Sequence, residues 1–155
     1  INKTFQNLKK KVFKPVLIPK FDKSTDDRYK KSQWTKVRKP PHVIIFEGWC
    51  VGARHQKVNN LKKSLNSLEN KFDPDLKWRK RVNNHLRGHY KKLFNRIDKL
   101  VYLKAPSFYH IFQWRLLQEQ KLKLTSKNKE IMSKSQVKEF IMYYERITNQ
   151  MMKDF

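Results

Sequence analysis

Glu47 is the first residue whose position suggests chemistry. It follows the apolar run Val43-Ile44-Ile45-Phe46 and precedes Gly48-Trp49. Four consecutive β-branched or aromatic residues read as a strand buried on both faces, as in a parallel sheet. Open α/β sheets place ligands just outside the C-terminal ends of such strands. A carboxylate there can hold Mg²⁺ directly or through water. Gly48 lets the backbone turn sharply or approach a ligand. Two further groups complete a set. The loop Lys20-Phe21-Asp22-Lys23-Ser24-Thr25-Asp26-Asp27-Arg28 carries both signs of charge, and Arg115 stands on a later helix. An acid at a strand end and an arginine on a closing segment are parts that phosphoryl transfer uses, the arginine neutralising the transferring group. Each has a plainer reading beside it. Glu47 is then the first solvated residue after a core strand, the loop is a solvated turn, and Arg115 pairs with Glu119 at i,i+4.

Other chemistries find less support. His42, His55, His85, His89 and His110 lack cysteine partners, and the His85/His89 pair at i,i+4 has no third ligand downstream, so no metal site is visible. No serine nucleophile elbow occurs. The three glycines, Gly48, Gly52 and Gly88, exclude a Gly-x-x-x-x-Gly-Lys-Ser/Thr phosphate loop within the chain. The single cysteine, Cys50, rules out an internal disulfide, fits a reducing compartment, and reads as a small buried hydrophobe.

The net charge of +24 makes anionic partners plausible, whether phosphorylated metabolites, nucleic acid or a membrane surface. It comes from 28 Lys and 9 Arg scattered through every segment, whereas a nucleic-acid surface concentrates arginine and aromatic residues on one face. No apolar run approaches a membrane span and no signal-peptide pattern occurs, so a cytoplasmic location is expected. The chain opens on Ile1 and not Met, which leads to the expectation of sequence upstream.

The elements that must position these groups follow from spacing. Phe5, Leu8 and Val12 predict a short amphipathic helix in a basic segment, residues 1–14. Val16-Leu17-Ile18, between Pro15 and Pro19, is a short strand or extended segment. Residues 29–42 form a basic connector. After a loop from Trp49 to Gln56, a helix carries Val58, Leu61, Leu65 and Leu68. The Phe72-Asp73-Pro74-Asp75 cluster stops it, and a long helix follows with Trp78, Val82, Leu86, Tyr90, Leu93 and Ile97 along one face. Gly88 inside that helix marks a close contact. Leu100-Val101-Tyr102-Leu103 is a second buried strand. The next helix starts at Ser107 with Phe108, Ile111, Phe112 and Leu116 inward, and Thr125 to Ile131 is a polar break. Ser133 and Gln136 form a capping box for a last helix carrying Val137, Phe140, Ile141, Tyr144, Ile147 and Met151. Strand, helices, strand, helices is an α/β layout.

Several of these stretches resemble the D-glycerate 3-kinase type of P-loop kinase, which is similar to uridine kinase and phosphoribulokinase. They are Pro19 to Lys23 with Asp26-Asp27-Arg28, Phe46-Glu47-Gly48-Trp49-Cys50-Val51-Gly52-Ala53-Arg54, Asn59-Asn60-Leu61 and Val82-Asn83. Further along come Ala105-Pro106-Ser107, Gln113-Trp114-Arg115-Leu116-Leu117-Gln118-Glu119, Met132-Ser133 and Tyr143-Tyr144-Glu145-Arg146. The match runs from about residue 15 to the end. It implies a partial P-loop NTPase-type parallel sheet of two to three strands with several flanking helices. Residues 1–155 would form a single domain, the C-terminal part of a kinase domain, with 1–14 a basic N-terminal helix or tail. The implied activity is ATP- and Mg²⁺-dependent phosphorylation of a small alcohol such as glycerate. By position, Glu47 would help place Mg²⁺, and Asp22, Lys23 and Arg28 would approach the acceptor and the transferring phosphate. Arg115 would sit on a lid helix near the nucleotide phosphates, and Trp49 near the acceptor pocket; Trp49 and Trp114 also read as core aromatics.

The family's N-terminal portion, with its phosphate loop and an acidic segment that supplies the catalytic base, is missing from this sequence. In the family fold a strand of that portion lies between those matching 43–46 and 100–103, so two apolar edges are expected to stand exposed. The chain alone is therefore expected to be inactive and to need a separate N-terminal half. The alternatives are a basic nucleic-acid-binding protein and a nonfunctional kinase remnant.

Overall fold

Why 43–46 fails to become a buried strand shows in its surroundings. The computed structural model describes residues 1–22, 25, 27–125 and 131–155, the side chain of residue 125 excepted. Two compact units divide the chain, Ile1–Glu47 and Gly48–Phe155. In the first, α1 (Asn2–Leu8) buries Leu8 and packs on β1 (Val16–Ile18). β1 pairs antiparallel with β4 (Thr35–Val37), matching Val16 to Val37 and Ile18 to Thr35. Between them β2 (Phe21–Asp22) and β3 (Asp27–Arg28) make a second antiparallel ribbon, followed by one 3₁₀ turn, Lys31–Gln33. The connector is held by the Trp34 indole, which donates to the Tyr29 carbonyl at 2.8 Å.

Residues 43–46 join neither ribbon. Val43 and Ile45 are 75% and 85% exposed, while Ile44 and Phe46 are half-buried. The Phe46 ring meets Phe5 of α1 edge-on at 5.3 Å. A strand apolar on both faces needs hydrogen-bonded neighbours and a cover on each side. Here only the Phe46 side finds cover, so the expectation of a buried parallel strand is corrected. The same correction applies to 100–103, where Val101 is 82% and Leu103 89% exposed and only Tyr102 is half-buried, its ring 5.3 Å from that of Phe155. Among the described residues both sheets are two-stranded and antiparallel, so the fold is mixed α/β with helices predominant and no parallel sheet.

The second unit is helical: α2 (Val58–Leu61), α3 (Ser67–Phe72), α4 (Lys77–His85), a π turn (Leu86–Tyr90), α5 (Lys91–Phe94), α6 (Phe108–Thr125) and α7 (Lys134–Asp154). Its buried apolar residues include Leu61, Leu86, Leu93, Val137, Ile141 and Met151. The single helix expected over 58–68 is two short ones, because the Asn66 side chain accepts from the Glu69 N–H and starts α3 afresh. The capping box at Ser133 and Gln136 is present, and Val137, Ile141 and Met151 are buried as their spacing requires.

The helical stretch 77–94 turns a different face inward from the one its hydropathy suggests. Leu86 and Leu93 are buried, but Arg79 and Asn83 take the inner places expected of Trp78 and Val82. The inner stripe is shifted by one residue because buried carboxylates and backbone groups nearby require polar partners. Gly88 marks no close contact, since a Cβ built there meets nothing within 4 Å.

Candidate functional site

The residues singled out for chemistry divide between the two units. Asp22, Arg28 and Glu47 belong to the first. The β2–β3 register sets Asp22 opposite Asp27 and Phe21 opposite Arg28, with Arg28 and Glu47 exposed. Backbone pairing of Tyr29 N–H with the Lys20 carbonyl at 2.9 Å continues the ribbon outward. Within the segment expected to be a loop, residues 21–22 and 27–28 are therefore paired antiparallel strands that carry Asp22 and Arg28. Lys23 lies outside the described residues.

Trp49 and Arg115 belong to the second unit, and a file of aromatic rings joins them. The Trp49 indole stacks on Tyr144 of α7 at 4.7 Å, nearly parallel, and its Nε1–H donates to Thr148 Oγ1 at 3.0 Å. Tyr144 lies 5.4 Å from Phe140, one turn back on α7, and the Arg115 guanidinium sits over the Phe140 ring at 5.5 Å. Phe140 and Tyr144 read from sequence as core residues. Only the crossing of α6 and α7 makes them the link between Trp49 and Arg115.

Glu119 fixes the other side of Arg115. Its Oε1 takes an ion pair from Nη1 at 2.6 Å, and its Oε2 accepts from the Met132 N–H at 3.0 Å. The same Nη1 donates to Gln118 Oε1 at 2.8 Å. The i,i+4 pairing of Arg115 with Glu119 is thus real, and it ties α6 to the residue preceding the α7 cap. It leaves Nε and Nη2 without a partner among the described residues, so Arg115 is pre-oriented by one nitrogen and keeps donors for an anion.

A buried polar network sets the position of α7. Arg146 grips Glu69 through Nε and Nη2, both at 2.6 Å, and donates to the carbonyls of Asn60 at 2.9 Å and Lys63 at 2.7 Å. Arg79 pairs with Asp73 through Nε at 2.9 Å and donates to the Leu61 carbonyl at 2.9 Å, with Glu69 at 3.7 Å. The Asp73 carboxylate also accepts from the N–H groups of Trp78 and Arg79, capping α4. Asn83 exchanges two hydrogen bonds with the Gln56 backbone, at 2.7 and 3.0 Å. Burial alone would raise the Glu69 carboxyl. The Arg146 hydrogen bond, the Leu65 N–H and the charges of Arg146 and Arg79 outweigh it and hold Glu69 below its ordinary value. Burial would raise Asp73 as well, and the Trp78 N–H and Arg79 contacts likewise bring it below. Asn60, Asn83 and Arg146 all lie in the stretches that carry the family resemblance, and here they are scaffold.

Near Trp49, the turn 48–53 places Gly52 at φ +86°, its Cα against Leu100. A cleft of about 420 Å³ opens beside it, lined by Arg54, His55, Lys91, Leu86, Phe94 and Phe155 among others. Its cationic and apolar walls suit a small organic anion, although Trp49 is not among its lining residues. Burial pushes the Cys50 thiol up to about 11, so it is protonated at neutral pH and no nucleophile. Among the described residues no three His, Cys, Asp or Glu groups converge to cage a metal ion, and no helix is long and apolar enough to cross a membrane. Mg²⁺ commonly binds through one or two carboxylates completed by phosphates and water, and exposed Glu47 suits that mode.

No family model matches the chain. It is 34% identical over 137 residues to an uncharacterized kinase of Schizosaccharomyces pombe, an alignment covering 83% of this chain and 47% of that protein. It is 29% identical over 131 residues to the chloroplastic D-glycerate 3-kinase of Arabidopsis thaliana, covering 82% of this chain and 26% of that protein. These relatives support a kinase family. The chain spans about half the length of the first and about a quarter of the second.

Proposed function

We propose that the chain is the acceptor- and lid-bearing part of a small-molecule kinase, and that it transfers a phosphoryl group to an alcohol such as glycerate once a further segment supplies the phosphate loop. The carrying observation is the pair of kinase-named relatives aligned over more than four-fifths of the chain. The absence of a Gly-rich phosphate loop from this sequence argues for the second segment. The P-loop type of fold, the glycerate specificity and the inactivity of the chain alone are parts of this proposal.

Bound ATP with Mg²⁺ supplies the transferable phosphoryl group. Glu47 would hold the cation. Arg115, braced by Glu119 and by the Phe140 ring, would direct the N–H donors that have no partner among the described residues at phosphate oxygens, where charge grows in the transition state. In the first unit, Arg28 and Lys23 would neutralise the approaching acceptor and Asp22 would orient its hydroxyl.

The chain incubated with ATP, Mg²⁺ and D-glycerate should release no ADP. Mixed with the portion of the Schizosaccharomyces pombe relative that lies outside the alignment, it should form phosphoglycerate, detectable by phosphorus NMR. Arg115→Ala should lower that rate by about 10²-fold, as removal of a transition-state donor does. A mixture that phosphorylates neither glycerate nor other small alcohols would overturn the proposal, and full turnover by the chain alone would overturn the need for a second segment.

A further inference from the structure

The outward side of the helical stretch 77–94 carries features that the kinase reading does not use. Between Asp75 and Asp98 the sequence holds eight lysines and arginines and no acid. Arg79 is taken up by the buried network. Lys77, Lys80, Arg81, Arg87, Lys91 and Lys92 are exposed, and none of these six has an ion-pair partner among the described residues.

Two aromatic side chains stand among these cations. Trp78 is 62% and Tyr90 47% exposed. Arg81 lies against the Trp78 ring at 5.8 Å, and Tyr90 is stacked on Phe94 at 5.7 Å, and both side chains remain exposed. Twelve residues separate them, about 18 Å along the axis at a helical rise. His85 and His89 pair at 5.6 Å in the interval. A solvated charge run would not need two large rings held outward. An apolar docking face would not need six unpaired cations.

We propose that this face binds single-stranded nucleic acid, with phosphates on the lysines and arginines and unstacked bases on Trp78 and Tyr90. Unstacked bases offer a π-face to an aromatic platform, which a duplex cannot do without opening, and such stacking is tolerant of sequence. Binding is therefore nearly sequence-independent and strongly salt-dependent. Six neutralised phosphates give a slope of log K against log salt of about −4.

The chain's net charge alone would attract any polyanion, so the test must separate this face from bulk charge. Fluorescence anisotropy of a labelled 12-nucleotide oligouridine, titrated at several salt concentrations, is the assay. All the substitutions fall at exposed positions and leave the buried side of α4 intact. Trp78→Ala and Tyr90→Ala should each weaken binding about five-fold or more with an unchanged salt slope. Arg81→Gln combined with Arg87→Gln should flatten the slope by about 1.4. Lys10→Gln combined with Lys11→Gln removes equal charge from the other unit and should change little. The proposal is overturned if the aromatic variants bind as the unsubstituted chain does, or if the lysine control weakens binding as much. It is equally overturned if duplex RNA, polyglutamate or phosphatidylserine vesicles bind as tightly with the same dependence on Trp78. Kinase activity enters none of these readouts, so the two proposals stand or fall separately.

Discussion

Truncating Arg146 to Ala removes the staple that joins α7 to the α2–α3 region. Four hydrogen bonds go: two to Glu69 at 2.6 Å and one each to the carbonyls of Asn60 and Lys63. Glu69, only 7% exposed, then keeps the Leu65 N–H at 2.8 Å, the Asn66 neighbourhood and Arg79 at 3.7 Å. Removing one partner of a buried pair costs about 3–5 kcal/mol. The remaining partners and the 13% exposure of the Arg146 side chain put this case at the lower end, about 3 kcal/mol. Urea unfolding followed by far-UV circular dichroism should therefore show a lowered midpoint with an unchanged slope. Arg146→Lys should recover only part of the loss, because an ammonium cannot grip both carboxylate oxygens in a fixed fork. The pH dependence has a definite sign. The folded Glu69 carboxyl lies below its ordinary value of 4.5, so its contribution is present above that pH and is lost as pH falls through the folded value. The gap between Arg146→Ala and the unsubstituted chain should narrow below pH 4.5 in step with that loss. A variant within about 0.5 kcal/mol at neutral pH, or a gap that does not narrow in acid, would refute the network as the device that positions α7.

Three further outcomes are expected. Gly52→Ala should destabilise by about 1–2 kcal/mol, the cost of a left-handed side-chain-bearing residue, with a Cβ 2.8 Å from Leu100 adding to it; Gly88→Ala, with open space around the new methyl, should instead stabilise by about 0.5–1 kcal/mol. Thermal unfolding of the two variants side by side reads both signs. Ser133→Ala should cost about 1 kcal/mol by freeing the Gln136 N–H at the start of α7, measurable in the same urea assay. Cys50 should resist alkylation by iodoacetamide at neutral pH in the folded chain and react freely once unfolded, its thiol being held at about 11 by burial; rapid alkylation of the folded chain at pH 7 would contradict that placement.

Local signals in the sequence settled what depends on neighbours along the chain. The capping box at Ser133 and Gln136, the stop at Phe72-Asp73-Pro74 and the inner face of α7 need only hydrogen bonds and periodicity within a few residues, whereas the first helix ends at Leu8 and leaves Val12, expected on its apolar face, 78% exposed. The pairing of Arg115 with Glu119 was legible for the same reason, both lying one turn apart. The runs 43–46 and 100–103 misled, because apolarity on both faces signals a demand for burial, and the supply must come from other segments. Hydropathy also placed Trp78 and Val82 inside α4. The tertiary structure placed Arg79 and Asn83 there, because the Asp73 and Glu69 carboxylates at the preceding turn and the Gln56 backbone, 27 residues from Asn83, had to be satisfied in the interior. The file of rings from Trp49 through Tyr144 and Phe140 to Arg115 spans residues far apart in the chain, and only the packing of α6 on α7 could assemble it.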